Sequence, residues 1–360
     1  MIVSKILHTF AVPIRRDPLR GEDWCGSSAW LEYLPVTQGV AGSSPVRTAK
    51  KDVPNNWSSF CCFSTYTYNL HIQDILYTFA LIGNPISHSK SPALFKAAYS
   101  NSTEKELQES TYTLIQKADI IEALTEFLNG SYNGINITAP FKEQLFSPRV
   151  ADLFKDKGYS FLPDKITSFL HCANILVKDE ARKALLSYNS DFMGVKAIIQ
   201  TVGKQKKLNR IAVFGAGGAG KAAAMAVVDC NLELSLINRS NVSGFCNDIN
   251  RVFCMENQLP PLASYYSIDD YKAISLILSR TDMVIYTIPK ETGNIRNLLL
   301  ERPLTLLEAN YANPAFSTLY KESNLYISGK EWLLQQAVPA FKIFTGVEPS
   351  VESMRDVLNC

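Results

Sequence analysis

Short apolar runs alternate with segments of helical periodicity from residue 77 to about residue 207. Continuous or alternating apolar runs indicate strands, whereas apolar residues spaced three and four apart indicate helices. Strands are predicted at 77–83, 107–115 and 134–138, and strand-like segments at 173–177 and 185–191 follow a less regular stretch. Helices are predicted at 91–100, 118–128, near 142–155 and from 191 to about 202, before a polar loop at 203–207.

A second run of the same alternation begins at Arg210. Strands are predicted at 211–214, 233–238, 282–288 and 304–311, and helices at 219–230, 244–256, 268–279, 332–345 and 348–358. Alternating strands and helices are typical of parallel α/β layers. The pattern therefore predicts an α/β protein with two α/β units in succession.

Residues 1–76 show neither period. The segment is rich in turn-forming residues, and its phrase G-S-S-P-V-R-T-A resembles a mistakenly translated transfer-RNA gene. We expect an extension without a core of its own, disordered or non-native. Two interpretations stay open, a start codon assigned too far upstream and a linker left from a longer fusion. No chemistry is assigned to this segment.

Composition narrows the class of protein. Hydrophobic residues make up 46%, charged residues 19%, and the net charge is only +2, which excludes nucleic acid or an anionic membrane as the main partner. The eight cysteines form no C-x-x-C pair and only four histidines are present, so no metal site is expected. No apolar stretch reaches the ~18 residues of a spanning helix. These features predict a cytoplasmic enzyme or binding protein acting on a small molecule.

A glycine pattern, Gly215-x-Gly217-x-x-Gly220, lies between an apolar strand and an alanine-rich helix. This setting favours a dinucleotide pyrophosphate at the helix start over a tight turn without ligand. The next strand ends in Asn238-Arg239-Ser240, with no carboxylate to accept from a ribose 2′-hydroxyl. A guanidinium matches a 2′-phosphate, so Arg239 favours NADP, although it could also be an ordinary surface arginine.

Two charged residues are candidates for proton transfer. Lys142 follows a proline-set turn in N-I-T-A-P-F-K, and Asp191 stands where the chain crosses to the second unit. A lysine beside a carboxylate in a cleft can relay a proton while the carboxylate orients the ammonium. The alternatives are a surface charge for Lys142 and a helix N-cap for Asp191.

Several motifs, in one order, resemble those of the shikimate dehydrogenase family over about residues 77–358. They are G-N-P-I-S-H-S-K-S-P (83–92), N-I-T-A-P-F-K (136–142), A-N (173–174), N-S-D-F-M-G (189–194), G-A-G-G-A-G-K-A (215–222), N-R-S (238–240), E-A-N-Y (308–311) and G-K-E-W-L-L-Q-Q-A (329–337). The resemblance implies NADP-dependent reduction of 3-dehydroshikimate to shikimate. It also implies a substrate-binding domain at 77–190, completed by 330–360, and a Rossmann NADP-binding domain at 191–329.

The resemblance also assigns roles to individual residues. Lys142 and Asp191 would be the catalytic pair, with Lys142 protonating the C3 oxygen. The substrate carboxylate would contact Ser89, Ser91 and Tyr311. The ring hydroxyls of the substrate would contact Thr138, Asn174, Asp191 and Gln336. The cofactor would contact Gly215, Ala216, Gly217, Gly218, Ala219, Asn238, Arg239, Ser240, Ala309 and Gly329. Ser89 or Ser91 can also cap a helix, and Gln335 is the rival to Gln336.

The chain departs from the family pattern at Ile175, Tyr286, Ile288 and Glu308, and its spacer between Lys142 and Asn174 is long. Three rival interpretations stand beside this one. A quinate/shikimate dehydrogenase using NAD is the nearest, and Arg239 argues against it. A non-catalytic relative is disfavoured because Lys142 and Asp191 are present. A dehydratase fusion would need a barrel far longer than residues 1–76. A monomer or homodimer is expected.

Overall fold

The computed structural model describes residues 77–100, 105–255, 258–289, 297, 299, 304–317 and 326–358. The interpretation of residues 1–76 as a disordered or non-native extension lies outside the described residues. Within the described ranges, strands and helices alternate in two six-stranded sheets, which confirms the predicted α/β class.

The first sheet is mixed rather than parallel throughout. Its strands are β1 (Thr78–Gly83), β2 (Thr111–Gln116), β3 (Gly134–Ile137), β4 (Ser160–Pro163), β5 (Ile175–Asp179) and β6 (Ala184–Tyr188), in the order β2-β1-β3-β5-β6-β4. β5 runs antiparallel to both neighbours, β3 and β6. The predicted parallel layer is wrong at this point because only four residues connect β5 to β6, enough for a hairpin but not for a crossover.

The second sheet is fully parallel. Its strands are β7 (Arg210–Phe214), β8 (Glu233–Asn238), β9 (Ala263–Ser267), β10 (Met283–Tyr286), β11 (Thr305–Glu308) and β12 (Tyr326–Ile327). The order β12-β11-β10-β7-β8-β9 reverses direction between β7 and β10. That order is the doubly wound dinucleotide-binding arrangement, in which ligands bind beyond the carboxyl ends of the strands at the reversal point.

Twelve α-helices can be described. They are α1 (Ser91–Ser100), α2 (Lys105–Gln108), α3 (Ile120–Asn129), α4 (Phe141–Gln144), α5 (Pro148–Asp156), α6 (Lys165–Leu170), α7 (Ser190–Gln205), α8 (Gly218–Asp229), α9 (Ser243–Ile249), α10 (Tyr271–Leu278), α11 (Gly329–Thr345) and α12 (Val351–Leu358). A π-helical turn, Asn250–Met255, extends α9.

Several element boundaries differ from the predictions. The strand expected at 107–115 begins at Thr111, because the preceding residues form α2. The helix expected near 142–155 is two helices, and the second begins with Pro148 at its first position. The long spacer before Asn174 contains β4 and α6, which were not predicted, and β9 was also missed. The loop expected at 203–207 starts later, since α7 continues through Gln205.

The two C-terminal helices pack on the first sheet, as predicted for the fold. The ring of Phe344 on α11 stacks on Phe79 of β1 with centroids 4.8 Å apart, and Met354 and Leu358 of α12 are buried in the same cluster. A separate core lies between α7, α8 and the second sheet. The C-terminal end of the chain segment that forms the second sheet is thus connected to helices packed on the first sheet.

Membrane spans and metal clusters are absent from the part of the chain that the structure describes. There, no helix is long and apolar enough to cross a membrane, and no cluster of three His, Cys, Asp or Glu side chains is placed to hold a metal ion. Cys172, Cys230, Cys246 and Cys254 form no disulfide.

Candidate active site

Lys142 and Asp191 meet although 49 positions separate them along the chain. Lys142 lies on the short helix α4, directly after the turn that ends β3, and Asp191 lies in the first turn of α7. The Lys142 ammonium donates a hydrogen bond to the Asp191 carboxylate, and only 19% and 11% of the two side chains are exposed. The N-cap of α7 is Asn189, whose side chain accepts from the backbone N–H of Phe192 at 3.0 Å. Asp191 is therefore not the cap and is available to Lys142.

The glycine-rich turn approaches this pair. A Cβ added to Gly218 would lie 2.9 Å from Cys172 Sγ and 3.7 Å from Lys142 side-chain carbons. Gly215 has a φ of +99°, which side chains rarely adopt, and a Cβ on Gly220 would collide with the Gly215 carbonyl oxygen. Nothing lies within 4 Å of the corresponding position at Gly217. The turn thus closes tightly on itself but is open on the side of Gly217, where a ligand can approach the backbone of α8.

The end of β8 lies beside this turn. Asn238 Oδ1 accepts from the backbone N–H of Ala216 at 3.2 Å, and Asn238 Nδ2 donates to the Ser240 carbonyl at 3.0 Å. Arg239 and Ser240 are exposed. The Arg239 guanidinium makes no hydrogen bond or ion pair with any residue that the structure describes. It is consequently available to an anion at the edge of the turn.

Ala309 and Gly329 also lie together. A Cβ on Gly329 would be 2.5 Å from the Ala309 carbonyl oxygen, so only glycine permits this approach of α11 to the end of β11. Glu308, one of the departures from the family pattern, is buried and accepts from the backbone N–H groups of Ala315 and Phe316 and from the Tyr326 hydroxyl. Tyr286, another departure, packs edge-on against Phe316 in the core. Glu308 thus fixes the chain after β11 by hydrogen bonds, and Tyr286 packs in the core of the second sheet.

The three residues expected to contact the substrate carboxylate are close to one another. Ser89 Oγ accepts from the Ser91 backbone N–H at 3.2 Å and donates to Ser91 Oγ, also at 3.2 Å. Burial raises the pKa of the Tyr311 phenol, and the nearby backbone N–H of Lys90, between the two serines, lowers it by less. Ser89 thus caps backbone at the start of α1, as the alternative interpretation allowed, while Ser91 is buried beside it.

Asn174 and Gln336 are joined by a residue that the sequence did not single out, Ser190. The Ser190 backbone N–H donates to Asn174 Oδ1 at 2.7 Å, and Asn174 Nδ2 donates to Ser190 Oγ at 3.0 Å. Ser190 Oγ in turn donates to Gln336 Oε1 at 2.8 Å. The rival residue, Gln335, instead donates to Glu331. In the sequence, Ser190 lies in the N-S-D-F-M-G motif immediately before Asp191, but the motif assigned it no role.

Thr138 follows the last residue of β3, and its side chain is half-buried. Its backbone N–H donates to the Ile82 carbonyl and its carbonyl accepts from Phe141, which shapes the turn toward Lys142. The Thr138 methyl lies against Gly83, where an added Cβ would overlap it. Among the described residues, no hydrogen bond connects the Thr138 side chain to the other candidate site residues. The Tyr112 hydroxyl, outside the quoted motifs, donates at 2.8 Å to Oδ1 of Asn136, the first residue of the N-I-T-A-P-F-K motif.

Two family models match the chain. The shikimate dehydrogenase substrate binding domain matches residues 81–155, and the shikimate 5′-dehydrogenase C-terminal domain matches residues 333–358. Both matched segments are thus similar to domains of the shikimate dehydrogenase family. The two matched segments are those that carry Ser89, Ser91, Thr138 and Lys142 at one end and Gln336 at the other.

Curated shikimate dehydrogenase family members align over almost their whole length. A shikimate dehydrogenase (NADP(+)) from Natronomonas pharaonis is 27% identical over 292 residues, covering 78% of this chain and 97% of the relative. One from Helicobacter pylori strain 26695 is 28% identical over 289 residues, covering 78% of this chain and 99% of the relative.

Solved structures show the same fold. Quinate dehydrogenase from Corynebacterium glutamicum in complex with NAD has a TM-score of 0.62 and 20% identity, covering 79% of this chain and 98% of that one. Shikimate 5-dehydrogenase from Thermus thermophilus, in complex with NADP(H) and shikimate, has a TM-score of 0.59 and 21% identity at the same coverage. The shared fold of a shikimate and a quinate enzyme leaves the choice of substrate to the site residues.

Proposed function

We propose that this protein is a member of the shikimate dehydrogenase family and catalyses the reversible NADP-dependent reduction of 3-dehydroshikimate to shikimate, a step in chorismate and aromatic amino acid biosynthesis. The observation that carries the proposal is the Lys142–Asp191 pair beside Gly218. A proton donor and the start of a dinucleotide-binding helix are thereby brought to one place, which is what reduction of a ketone requires.

The second sheet has the features that NADP needs. The open side of the turn at Gly217 and the N-terminus of α8 suit a pyrophosphate, which would contact Gly215, Ala216, Gly217, Gly218 and Ala219. Asn238, Arg239 and Ser240 would hold the 2′-phosphate, and a guanidinium suits that group in charge and geometry. Backbone at Ala309 and Gly329 would border the nicotinamide. When bound, the reduced cofactor supplies a hydride to the substrate's C3.

On the substrate side, Ser89, Ser91 and Tyr311 would bind the carboxylate. Neutral hydroxyls can orient both carboxylate oxygens without the full charge of an arginine, which favours release of product. Thr138, Asn174, Asp191 and Gln336 would bind the ring hydroxyls. The Ser190 bridge supports this assignment because it holds the Asn174 amide and the Gln336 carbonyl oxygen in fixed orientations.

Lys142 would act as the general acid. As negative charge develops on the C3 oxygen, the ammonium transfers a proton to that oxygen, and in the oxidation direction the neutral amine takes the proton back. Asp191 would keep the ammonium pointed at the substrate through the hydrogen bond between them. Low exposure of both side chains strengthens this interaction relative to a surface pair.

Initial rates of shikimate and quinate oxidation, each with NADP and with NAD, test the proposal. We expect the highest kcat/KM for shikimate with NADP. A preference for quinate and NAD would instead favour the quinate dehydrogenase alternative, and the absence of turnover in all four combinations, with shikimate binding retained, would favour a non-catalytic relative. A mock purification from the same host without this protein controls for contaminating dehydrogenases.

Three further assignments belong to the same proposal. The substrate-binding domain would comprise 77–190 together with 330–360, and the NADP-binding domain 191–329, in agreement with the two sheets and the return of α11 and α12. The enzyme would act in the cytoplasm, where the buried thiols of Cys172, Cys246 and Cys254 remain reduced. It would act as a monomer or homodimer.

A further inference from the structure

One ion pair joins the helix that carries Lys142 to the helix that follows the glycine turn. Lys221 Nζ on α8 donates to Glu143 Oε1 on α4 at 3.0 Å. Glu143 is the residue directly after Lys142, and Lys221 directly follows Gly220 in the motif G-A-G-G-A-G-K-A. The proposed function gives neither residue a role. The Lys221–Glu143 pair connects the two α/β units beside the candidate active site.

The same face of α8 approaches α4 at a second point. Residues three positions apart lie on one face of a helix, so Gly218 and Lys221 share a face of α8. A Cβ added to Gly218 would lie 3.7 Å from side-chain carbons of Lys142. The contact at Gly218 is close packing, whereas the contact at Lys221 is a hydrogen bond between charged groups. α4 and α8 therefore meet at two places along this face.

Both charged side chains extend from anchored backbone. The Lys221 backbone N–H donates to the Gly217 carbonyl at 2.9 Å, at the start of α8. α4 has only four residues, but buried Phe141 fixes its start, and the Lys142 carbonyl accepts from the Ala173 backbone N–H at 3.2 Å. Each helix is thus attached to its own unit, and any separation of α8 from α4 breaks the ion pair.

We propose that Lys221 and Glu143 are positioning residues whose ion pair holds the start of α8 against α4. The pair keeps the glycine turn next to Lys142, and its value for catalysis rests on the proposed function. Hydride and proton are delivered to one carbonyl group, so the cofactor-binding turn and Lys142 must be held at a fixed separation. The two side chains are 26% and 49% exposed, which limits the contribution of the pair to about two- to fivefold.

Cys172 reports on this arrangement without cofactor or substrate. Its side chain is buried, and its Sγ would lie 2.9 Å from a Cβ added to Gly218. Separation of α8 from α4 uncovers the thiol, so its alkylation rate follows the population of the separated form. Burial raises the pKa of the Cys172 thiol, and the charge of Lys221 lowers it by less. K221E therefore slows alkylation by its charge alone, and faster alkylation means greater exposure.

The test compares K221E with K117E. Both variants change a lysine to glutamate and break a lysine–glutamate pair of 3.0 Å, but Lys117 pairs with Glu126 inside the first unit. Ligand-free protein is labelled with iodoacetamide at about pH 8, and peptide mass spectrometry measures the rate at Cys172. K221E is expected to label Cys172 about two- to thirtyfold faster than wild type, because two carboxylates now repel each other. K117E is expected to match wild type.

A charge swap makes the test specific to the pair. E143K/K221E restores opposite charges at the same two positions, so its labelling rate at Cys172 is expected within about twofold of wild type. K221M, which removes the charge alone, is expected to label Cys172 about two- to fivefold faster. At saturating shikimate and NADP it should lower kcat by a similar factor, since saturation removes any effect on binding. Thermal unfolding shows whether each variant is folded.

Three results would each overturn the inference. They are a K221E rate no faster than that of K117E, a charge swap that labels as fast as K221E, and a K221M kcat equal to that of wild type. Failure of the proposed function looks different. A wild-type chain that is inactive on shikimate with NADP, while the labelling rates follow the expected pattern, overturns the proposed function and leaves the pairing of α4 with α8 standing.

Discussion

Gly194 of α7 faces the backbone nitrogen of Gln336 on α11 so closely that a Cβ at Gly194 would lie 2.8 Å from it. The carbonyl carbon of Gln335 would be 3.0 Å from the same Cβ, so the obstruction is backbone and cannot rotate away. This close approach places Gln336 next to Ser190, at the start of the same helix that carries Asp191. Helix packing thus contributes directly to the proposed ring-hydroxyl site.

Gly194→Ala should therefore move α11 away from α7. We expect a loss of about 1–3 kcal/mol of unfolding free energy and a raised KM for shikimate, since Gln336 is displaced. Gly203→Ala is the matched control, because Gly203 lies in the same helix and nothing approaches the position of its Cβ within 4 Å. That variant should be as stable as wild type or up to about 1 kcal/mol more stable. Urea unfolding and steady-state kinetics of both variants check the expectation; equal behaviour would contradict it.

Arg239→Gln should reduce the preference for NADP. Loss of a charge-assisted contact to the 2′-phosphate is expected to raise the KM for NADP by about ten- to a hundredfold, with little change for NAD. Arg210→Gln is the control, since Arg210 is also exposed but begins β7, at the opposite end of the sheet, and pairs with Glu233. The ratio of kcat/KM values for the two cofactors is the measurement. An unchanged ratio in the Arg239 variant would mean that the phosphate is bound elsewhere.

Glu331 and Arg355 connect α11 to α12 through two hydrogen bonds of 2.6 and 3.2 Å. Burial raises the pKa of the Glu331 carboxyl, but hydrogen bonds from Arg355 and Gln335 outweigh it, and the net pKa lies below the usual 4.5. A lowered pKa in the folded state means that the pair stabilises the protein above about pH 4.5 and that this contribution is lost as the pH falls through the folded-state pKa.

Glu331→Gln should accordingly destabilise the protein at pH 7 by about 1 kcal/mol, discounted for partial exposure of the pair. The difference from wild type should shrink as the pH falls below about 4. Glu352→Gln, which removes an exposed carboxylate in the first turn of α12, controls for the change in net charge. The measurement is urea unfolding of wild type and both variants at pH 7 and below about pH 4. A difference in unfolding free energy between Glu331→Gln and wild type that grows toward acid pH would contradict the expectation.

Much of the fold could be predicted because the strands and helices of the two units have clear periods and start signals. The boundaries of α1, the glycine turn and the end of β7 followed directly from sequence, since Pro92 and the glycines have positional meaning. β4 and β9 were missed because they are edge strands, only partly buried and thus without a continuous apolar run. The reversed direction of β5 could not be predicted, because strand periodicity does not encode direction.

The candidate site likewise contains residues that could be predicted from sequence and residues that could not. Lys142, Asp191 and the residues of the glycine turn belong to short motifs, and so sequence reasoning found them. Ser190 lies in the N-S-D-F-M-G motif but was given no role there, because its contacts are with Asn174 and Gln336, 16 and 146 positions away. Among the described residues, polar side chains that orient a proposed ligand-binding residue were thus visible only once the sheets were assembled.

Cys172 lies beside the candidate site but should be unreactive. Burial raises the pKa of its thiol to about 12, so almost no thiolate is present at about pH 8. Cys230, which is only partly buried, should be alkylated faster by iodoacetamide in the native protein. Peptide mass spectrometry after timed labelling measures both sites, and a urea-unfolded sample gives the intrinsic rates. Equal native rates at the two cysteines would contradict the burial of Cys172 against Gly218.

The catalytic assignment depends on Lys142 reaching a bound substrate with its proton while Asp191 orients it. The most direct measurement is the kcat and KM of Lys142→Ala for shikimate oxidation with saturating NADP. Lys157→Ala serves as the control, because Lys157 is an exposed lysine bonded to Asn129 on the same unit. We expect Lys142→Ala to lower kcat by about 10²–10⁴ with a much smaller change in KM, and Lys157→Ala to match wild type. A Lys142→Ala enzyme with wild-type kcat would contradict the proposed mechanism.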